Sequence, residues 1–357
     1  MKFYIADAFT EQTFGGNPAG VVILEDGADF PEAETMRKTA AELRYSETAF
    51  IKKLDEGVFN VRYFTPADEV DLCGHATIAS FHCLREAGLV QPGQCVTNKT
   101  LAGDLNIIIG PNSILMDMAT PEYLGEISAP DAMKELYGVM GLDWEVNAKA
   151  LEAQCLACGG DGSGLKPEMI STGLPDILLP VANREQLAAI SPDFPALTEL
   201  SRKYNVVGVH AYTLDGGKHR IGIDCSTGAD QAGAAGGAVE AEQLGDSGCA
   251  GGAEFADSNP MVDAYCRNFA PLYDIDEEAA TGTSNGALTY GLVRNGVVQL
   301  SHSCDMLTGV CGMSADCMFV QGEAMDRPSV ITSKVSPAVK IQVGGNAVIL
   351  AEGEIHI

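Results

Sequence analysis

The stretch Arg62-Tyr63-Phe64-Thr65-Pro66 is answered later in the chain by Arg267-Asn268-Phe269-Ala270-Pro271, the same R-x-F-x-P pattern. Each copy leads through an acidic run to a glycine, Gly74 or Gly282. A helix-like segment follows and closes on a second glycine, Gly88 or Gly296, at equal spacing. Upstream lies a third shared feature: Gly16-Asn17-Pro18 before the apolar run Val21-Val22-Ile23-Leu24, and Gly173-Leu174-Pro175 before Ile177-Leu178-Leu179. Any one of these is common turn, strand and helix punctuation. Three in the same order mark an internal duplication.

Within the first copy the periodicity reads strand 3–9, strand 20–24, a helix over 32–44 with Met36, Ala40 and Leu43 on one face, strands 46–52 and 58–64, and a helix over 75–87. In the second helix Ile78, Phe81 and Leu84 recur every third residue, and Gly88 is a natural C′ stop. Strands dominate and connections are short. This predicts an α+β fold of two pseudo-symmetric halves, each a mixed, mostly antiparallel sheet wrapped round a central helix. The expected division is 1–120 and 121–346, with 347–357 read as a strand that crosses back onto the first half. Residues 229–258, rich in Gly and Ala, interrupt the second copy only and read as a surface insertion.

Length and composition agree with two globular units: 357 residues, 46% hydrophobic and 20% charged. With 49 acidic against 22 basic residues the formal charge is −27, which would repel nucleic acid and anionic membrane surfaces. Neither is an expected partner. A small anion is not excluded, because the N–H groups at a helix start attract one locally whatever the net charge. No signal-like stretch opens the chain and no window approaches the ~18 apolar residues of a membrane span, so the reading is cytoplasmic. Eleven cysteines at irregular spacings fit reduced thiols better than a disulfide framework.

Gly74 and Gly282 each precede a helix whose first N–H groups lack intrahelical partners. In a duplicated fold such starts can face each other across a cleft that suits a carboxylate; the alternative is that Thr77, Thr283 or Asn285 merely caps its own helix. His75 follows Gly74 and is expected beside Asp71, where it could orient or protonate a ligand. Glu47, in Tyr45-Ser46-Glu47-Thr48-Ala49-Phe50, shares a strand face with Ala49 and Ile51. Pointing inward, its pKa would be raised by desolvation; pointing outward, it would be ordinary surface. One of Glu277 and Glu278 is expected to line the cleft. Cys73 could act as a base, since a helix start lowers a thiol pKa. A two-thiol racemase would need a partner, and the second copy offers Ala279 and Ala280 there. Cys155-Leu156-Ala157-Cys158 lacks a second ligand pair, so no metal is expected. No P-loop occurs and no G-x-G-x-x-G follows a strand, so no nucleotide cofactor is expected either.

Together Gly16-Asn17-Pro18-Ala19-Gly20-Val21, Ser46-Glu47-Thr48-Ala49-Phe50, Arg62 to Pro66 and Leu72-Cys73-Gly74-His75-Ala76-Thr77 resemble the phenazine biosynthesis PhzF-like family. The resemblance continues through Ser171-Thr172-Gly173-Leu174-Pro175, Arg267 to Pro271, Ala280-Thr281-Gly282-Thr283, Gln321-Gly322-Glu323-Ala324 with Arg327-Pro328-Ser329, and Val343-Gly344-Gly345. It implies a diaminopimelate epimerase-like fold, a homodimer, and a cofactor-independent isomerase site between the halves. The family's glutamate acid/base matches Glu47, its histidine matches His75, and its Asp-Pro-Ala-Thr-Gly-Ser turn matches Glu278 to Thr283. There Glu replaces Asp, Ala replaces Pro and Thr replaces Ser, so a phenazine precursor is not implied.

The reading that results has Glu47 moving a proton between carbons of a small carboxylate-bearing substrate, with His75 and Glu278 orienting it. Asn17, Ser46, Asp71, Cys73, Gly74, Gly282 and Thr283 complete the expected binding set. Two alternatives stay open: an amino-acid racemase or epimerase using Cys73, and a catalytically silent binding protein on the same scaffold.

Overall fold

The computed structural model describes residues 1–157, 164–215, 262–304, 311–336 and 340–357. The expected insertion at 229–258 and the Cys155/Cys158 thiols lie outside what is described. The first strand series runs β1 (Lys2–Ala8), β2 (Asn17–Ile23), α1 (Ala33–Leu43), β3 (Thr48–Asp55), β4 (Val58–Phe64), β5 (Glu69–Val70), α2 (Gly74–Glu86), β6 (Cys95–Thr100), β7 (Gly103–Ile109) and β8 (Ile114–Asp117). After β9 (Glu122–Glu126) come two helices with no counterpart in the first series, α3 (Pro130–Val139) and α4 (Trp144–Ala157). The second series is β10 (Glu168–Ser171), β11 (Pro175–Pro180), α5 (Arg184–Ala188), α6 (Phe194–Tyr204), β12 (Gly208–Thr213), β13 (Ala264–Ala270), β14 (Ile275–Glu278), α7 (Gly282–Arg294), β15 (Ser301–Cys304), β16 (Cys311–Gln321), β17 (Ser329–Val335) and β18 (Ile341–Gly345), and β19 (Ala347–Glu354) follows.

The two series share their main pairings, and the second adds β15 antiparallel to β16. β1–β2, β3–β4, β6–β7 and β7–β8 are antiparallel, while β2–β3 and β4–β6 are parallel. Correspondingly β10–β11, β12–β13, β16–β17 and β17–β18 are antiparallel, and β11–β12 and β13–β16 are parallel. Three seams join the series: β19 on β1, β9 on β10, and β8 on β18, all antiparallel. The architecture is α+β, as expected, with α2 and α7 as the central helices.

Period-two alternation sorts the strand residues between an inner and an outer layer. On β2, Ala19, Val21 and Ile23 pack inward with Ile78, Phe81 and Leu84 of α2, whereas Val22, and Leu24 just past the strand, turn outward to join Met36 and Ala40 of α1. On β11, Leu178 faces the inner core and Ile177 and Leu179 the outer one, with Leu197 and Leu200 of α6. Both central helices stop in the same way. Gly88 and Gly296 take φ of 74° and 72°, and the N–H groups of Leu89 and Val297 reach back to Leu84 O and Leu292 O. This is the left-handed C′ closure that glycine favours.

The R-x-F-x-P motif has a physical basis. Residues two apart share a strand face, so the Arg62 guanidinium lies 5.2 Å from the Phe64 ring centroid and Arg267 5.0 Å from that of Phe269. Each guanidinium then makes a two-pronged ion pair to the acidic run, Arg62 to Glu69 at 2.6 Å and Arg267 to Glu277 at 2.7–2.8 Å. One glutamate of each acidic run is thus committed to the clamp. Among the described cysteines, Cys73, Cys83, Cys266 and Cys317 are buried thiols outside any disulfide and Cys95 is an exposed one, but Cys311 is disulfide-bonded, which departs from the expectation of reduced thiols throughout.

Phe81 is fully buried on α2 and meets the Phe59 ring edge-on at 5.8 Å. Phe81→Ala should lower the unfolding free energy by about 3–5 kcal/mol, read from urea denaturation at an unchanged m-value. A loss below about 1 kcal/mol would mean that the inner layer is not packed on α2 as described.

Candidate active site

The two central helices start against each other. A Cβ on Gly74 would stand 3.9 Å from Gly282 Cα and 4.0 Å from its amide nitrogen. Beneath them the β8–β18 seam pairs Met116 with Val343, and these two side chains floor the two glycines. Neither helix is capped by the side chain of its N-cap residue, Cys73 or Thr281. Thr77 Oγ1 and Asn285 Nδ2 instead donate back to the carbonyls of Cys73 and Thr281, so neither caps the first amides. The first-turn N–H groups of both helices remain available to an acceptor placed between them.

Each half adds one carboxylate to this point. Glu47 directly precedes β3, and its parity with Ala49 and Ile51, both in the inner core, turns it inward. Glu278 ends β14. The His75 ring lies between them, Nε2 3.2 Å from Glu47 Oε2 and Nδ1 3.7 Å from Glu278 Oε1. Ser46 Oγ is 3.3 Å from Nε2, and Cys73 Sγ is 3.4 Å from Nδ1. Asn17 reaches across from β2, its Nδ2 donating to Glu278 Oε1 and to Ala280 O, each at 3.1 Å. Thr281 Oγ1 donates to Glu278 Oε2 at 2.5 Å.

The titration order differs from the expectation for Glu47. Burial pushes that carboxyl up, but the hydrogen bond and charge of His75, with hydrogen bonds from Ser46 and Cys73, outweigh burial and hold it below the usual glutamate range. Burial likewise works against the His75 cation, yet Cys73 and Glu47 raise its pKa well above an ordinary histidine. Glu47 and His75 therefore form an ion pair at neutral pH. The raised carboxyl is Glu278, which burial pushes up to about 7 against the pull of His75 and Thr281. The Cys73 thiol moves opposite to expectation: burial, then the Glu47 charge, push it up to about 11 despite its place at a helix start.

Of the residues expected from sequence, Asn17, Ser46, Glu47, Cys73, Gly74, His75, Glu278 and Gly282 meet here. Thr283 stands at the position in α7 that His75 holds in α2, and its carbonyl accepts from Thr172 Oγ1 at 2.8 Å. Asp71 is a correction. Its side chain is exposed and its carbonyl accepts from the Ala102 N–H, because the chain leaving β5 turns Asp71 outward and Cys73 inward. The acids beside His75 are Glu47 and Glu278 instead. A second correction concerns the counterpart of Cys73, which is the N-cap Thr281 rather than Ala279 or Ala280. Gln321, quoted above only as part of a motif, proves to be a buried partner of the Glu278 turn.

The donor atoms of Glu47, Cys73 and His75 lie within 4.8 Å of one another, a spacing that invites comparison with a metal site. A metal here would have to displace the proton of the Cys73 thiol and compete with the pairing of Glu47 and His75, whose Oε2 and Nε2 are 3.2 Å apart. Thiol and imidazole both hold their protons at neutral pH. We assign no metal to these residues.

The family model for phenazine biosynthesis-like proteins, PhzC-PhzF, matches residues 6–222 and 239–353. The chain is 30% identical over 364 residues to an uncharacterized isomerase of Deinococcus radiodurans, covering 99% of this chain and 96% of that protein. It is 29% identical over 362 residues to an uncharacterized isomerase of Escherichia coli strain K12, covering 99% and 97%. A crystal structure of a Bacillus anthracis phenazine biosynthesis protein of the PhzF family superposes with a TM-score of 0.71 at 23% identity, covering 100% of this chain and 99% of the other. That likeness speaks for the fold. No helix among the described residues is long and apolar enough to cross a membrane.

Two outcomes follow from the charges. Glu47→Gln removes the anion that favours the His75 cation, so the His75 pKa should fall by about 1–3 units in an NMR titration of its ring protons; an unmoved midpoint would show that no ion pair exists. Glu278 acts on stability with the opposite sign to a salt-bridged acid. Between the usual glutamate value of 4.5 and about 7 the folded state keeps a proton that the unfolded chain has released, so stability falls as pH rises through that window. Glu278→Gln should flatten this slope in urea denaturation across the same pH range.

Proposed function

The chain belongs to the phenazine biosynthesis-like PhzC-PhzF family and is an isomerase acting on a small molecule, and from that premise we propose that it moves a proton between two carbons of a carboxylate-bearing substrate, with Glu47 as the acid/base. The observation that carries this reading is one carboxylate from each half on either side of a buried imidazole, beside two abutting and uncapped helix starts.

The substrate carboxylate accepts hydrogen bonds from the first N–H groups of α2 and α7, where backbone donors and helix dipoles converge. Backbone donors alone can hold it, whatever the net charge of the chain. Glu47, ionised at rest, takes the proton from a carbon made acidic by a neighbouring carbonyl or double bond, and the electron pair left behind shifts along the unsaturated system. The protonated Glu47 then returns the proton to the second carbon, so the site ends as it began. The His75 cation lies within reach of the negative charge that develops in between, and burial strengthens that attraction. Glu278, near its midpoint at neutral pH, presents either a donor or an acceptor to polar groups of the substrate. The scheme needs neither cofactor nor metal.

Racemisation by Cys73 is disfavoured by two features: its thiol is pushed up to about 11, and its counterpart across the cleft is the hydroxyl of Thr281. Glu47→Gln, which preserves size and removes the charge, should reduce solvent deuterium incorporation into product by about 100-fold or more, followed by mass spectrometry on candidate unsaturated carboxylic acids that the wild type turns over. Incorporation at the wild-type rate would remove Glu47 from the mechanism, and its loss on Cys73→Ser alone would restore the thiol as the base.

A further inference from the structure

We propose that Gln321 is a positioning residue of this site, aiming the Glu278 carboxyl by fixing the direction of the Thr281 hydroxyl. Gln321 is fully buried at the end of β16, in a strand whose other inward side chains are largely apolar. Its Nε2 donates to the Glu278 carbonyl at 2.7 Å and to Thr281 Oγ1 at 3.1 Å. Its Oε1 accepts from Asn285 Nδ2 at 2.8 Å and from the Thr281 backbone N–H at 3.3 Å.

A side-chain amide can be turned over without changing its shape, but here its neighbours settle the orientation. The Thr281 N–H can only donate and the Glu278 carbonyl can only accept, so Nε2 must be the atom that meets Thr281 Oγ1. A threonine hydroxyl carries one proton. With the Gln321 N–H occupying an acceptor site on Oγ1, that proton is directed to Glu278 Oε2. Asn17 already donates to Oε1, so both carboxyl oxygens are held by a donor and the carboxyl plane is fixed with Oε1 toward His75. Without Gln321 the hydroxyl is free to turn and Glu278 loses a directed donor to its charged form. The proposal rests on the reading that the Glu278 turn belongs to the catalytic site.

The test follows the Glu278 titration directly, with no substrate present. In protein labelled with [δ-13C]glutamate, the Glu278 signal is the one lost in Glu278→Gln. The charged and titratable groups facing it are His75 on α2, Glu47 before β3 and Asp176 on β11, and none is altered. Gln321→Met keeps the length and removes the amide, and it should move the Glu278 midpoint upward by roughly one unit. Thr281→Val should move it by a similar amount, and the double variant no further, since both changes remove the same directed bond. An unmoved midpoint in Gln321→Met with a shift in Thr281→Val, or shifts that add in the double variant, would overturn the proposal. If Gln321→Met does not fold, Thr281→Ser decides: a hydroxyl still directed by Gln321 keeps the wild-type midpoint, and a shift as large as that of Thr281→Val counts against Gln321. Failure of the Glu47 exchange test would leave these midpoints as they are, so the two readings fail separately.

Discussion

Two helix N-termini that abut, each carrying the positive end of a dipole and a set of unpaired N–H groups, repel each other unless an acceptor or a negative charge stands close by. That constraint organises the molecule. The approach of Gly74 to Gly282 would press a side chain on Gly74 to 3.3 Å from Met116 Cε, and the β8–β18 seam brings Met116 and Val343 beneath the two glycines to hold the two halves in register. The compensating charge comes from Glu47 and Glu278, placed beside the helix starts rather than on them, so the dipole ends themselves stay open to a ligand.

The scaffold is symmetric and the site is not. Both halves carry the same strand pairings, the same left-handed glycine closure of the central helix and the same arginine stacked on phenylalanine and clamped by a glutamate. At the helix starts the repeats diverge: Cys73 and His75 in one half correspond to Thr281 and Thr283 in the other. Duplication supplies two facing dipoles, and divergence supplies a cation and a titratable acid on opposite sides of one gap. A strictly symmetric pair would give two like groups whose interaction would hinder both from taking different protonation states.

Much of this was legible in the residues themselves. The repeated R-x-F-x-P and glycine spacing revealed the duplication, while the parity of Glu47 with Ala49 and Ile51 left its inward or outward direction open until the inner core was seen to hold Ala49 and Ile51. The parts that misled have physical causes. Asp71 lies within a few residues of His75 in sequence, but proximity along the chain does not specify which way an extended segment turns its side chains. The pKa order of Glu47, Cys73 and Glu278 is set by groups distant in sequence, since an ion pair with a buried imidazole outweighs desolvation at Glu47 and nothing comparable does so at Cys73. Glu277 and Glu278 are neighbours of identical type, and only the clamp to Arg267 tells which of them is committed elsewhere. Gln321 gave no local signal beyond being a polar residue where a strand otherwise alternates, because its role depends on a turn more than forty residues upstream.

The pairing of β19 with β1 over the whole length of β1 has a consequence for how the molecule is made. Its register joins Lys2 to Glu354 and Ala8 to Ala347, among the most sequence-distant contacts that a chain of this length can form. During synthesis the β1 edge stays unsatisfied until β19 has left the ribosome, and the loop to be closed costs entropy before its contacts are made. High contact order of this kind slows folding and prolongs exposure of the β1 edge, which makes that edge the place where association between nascent chains, or protection by a chaperone, would act first.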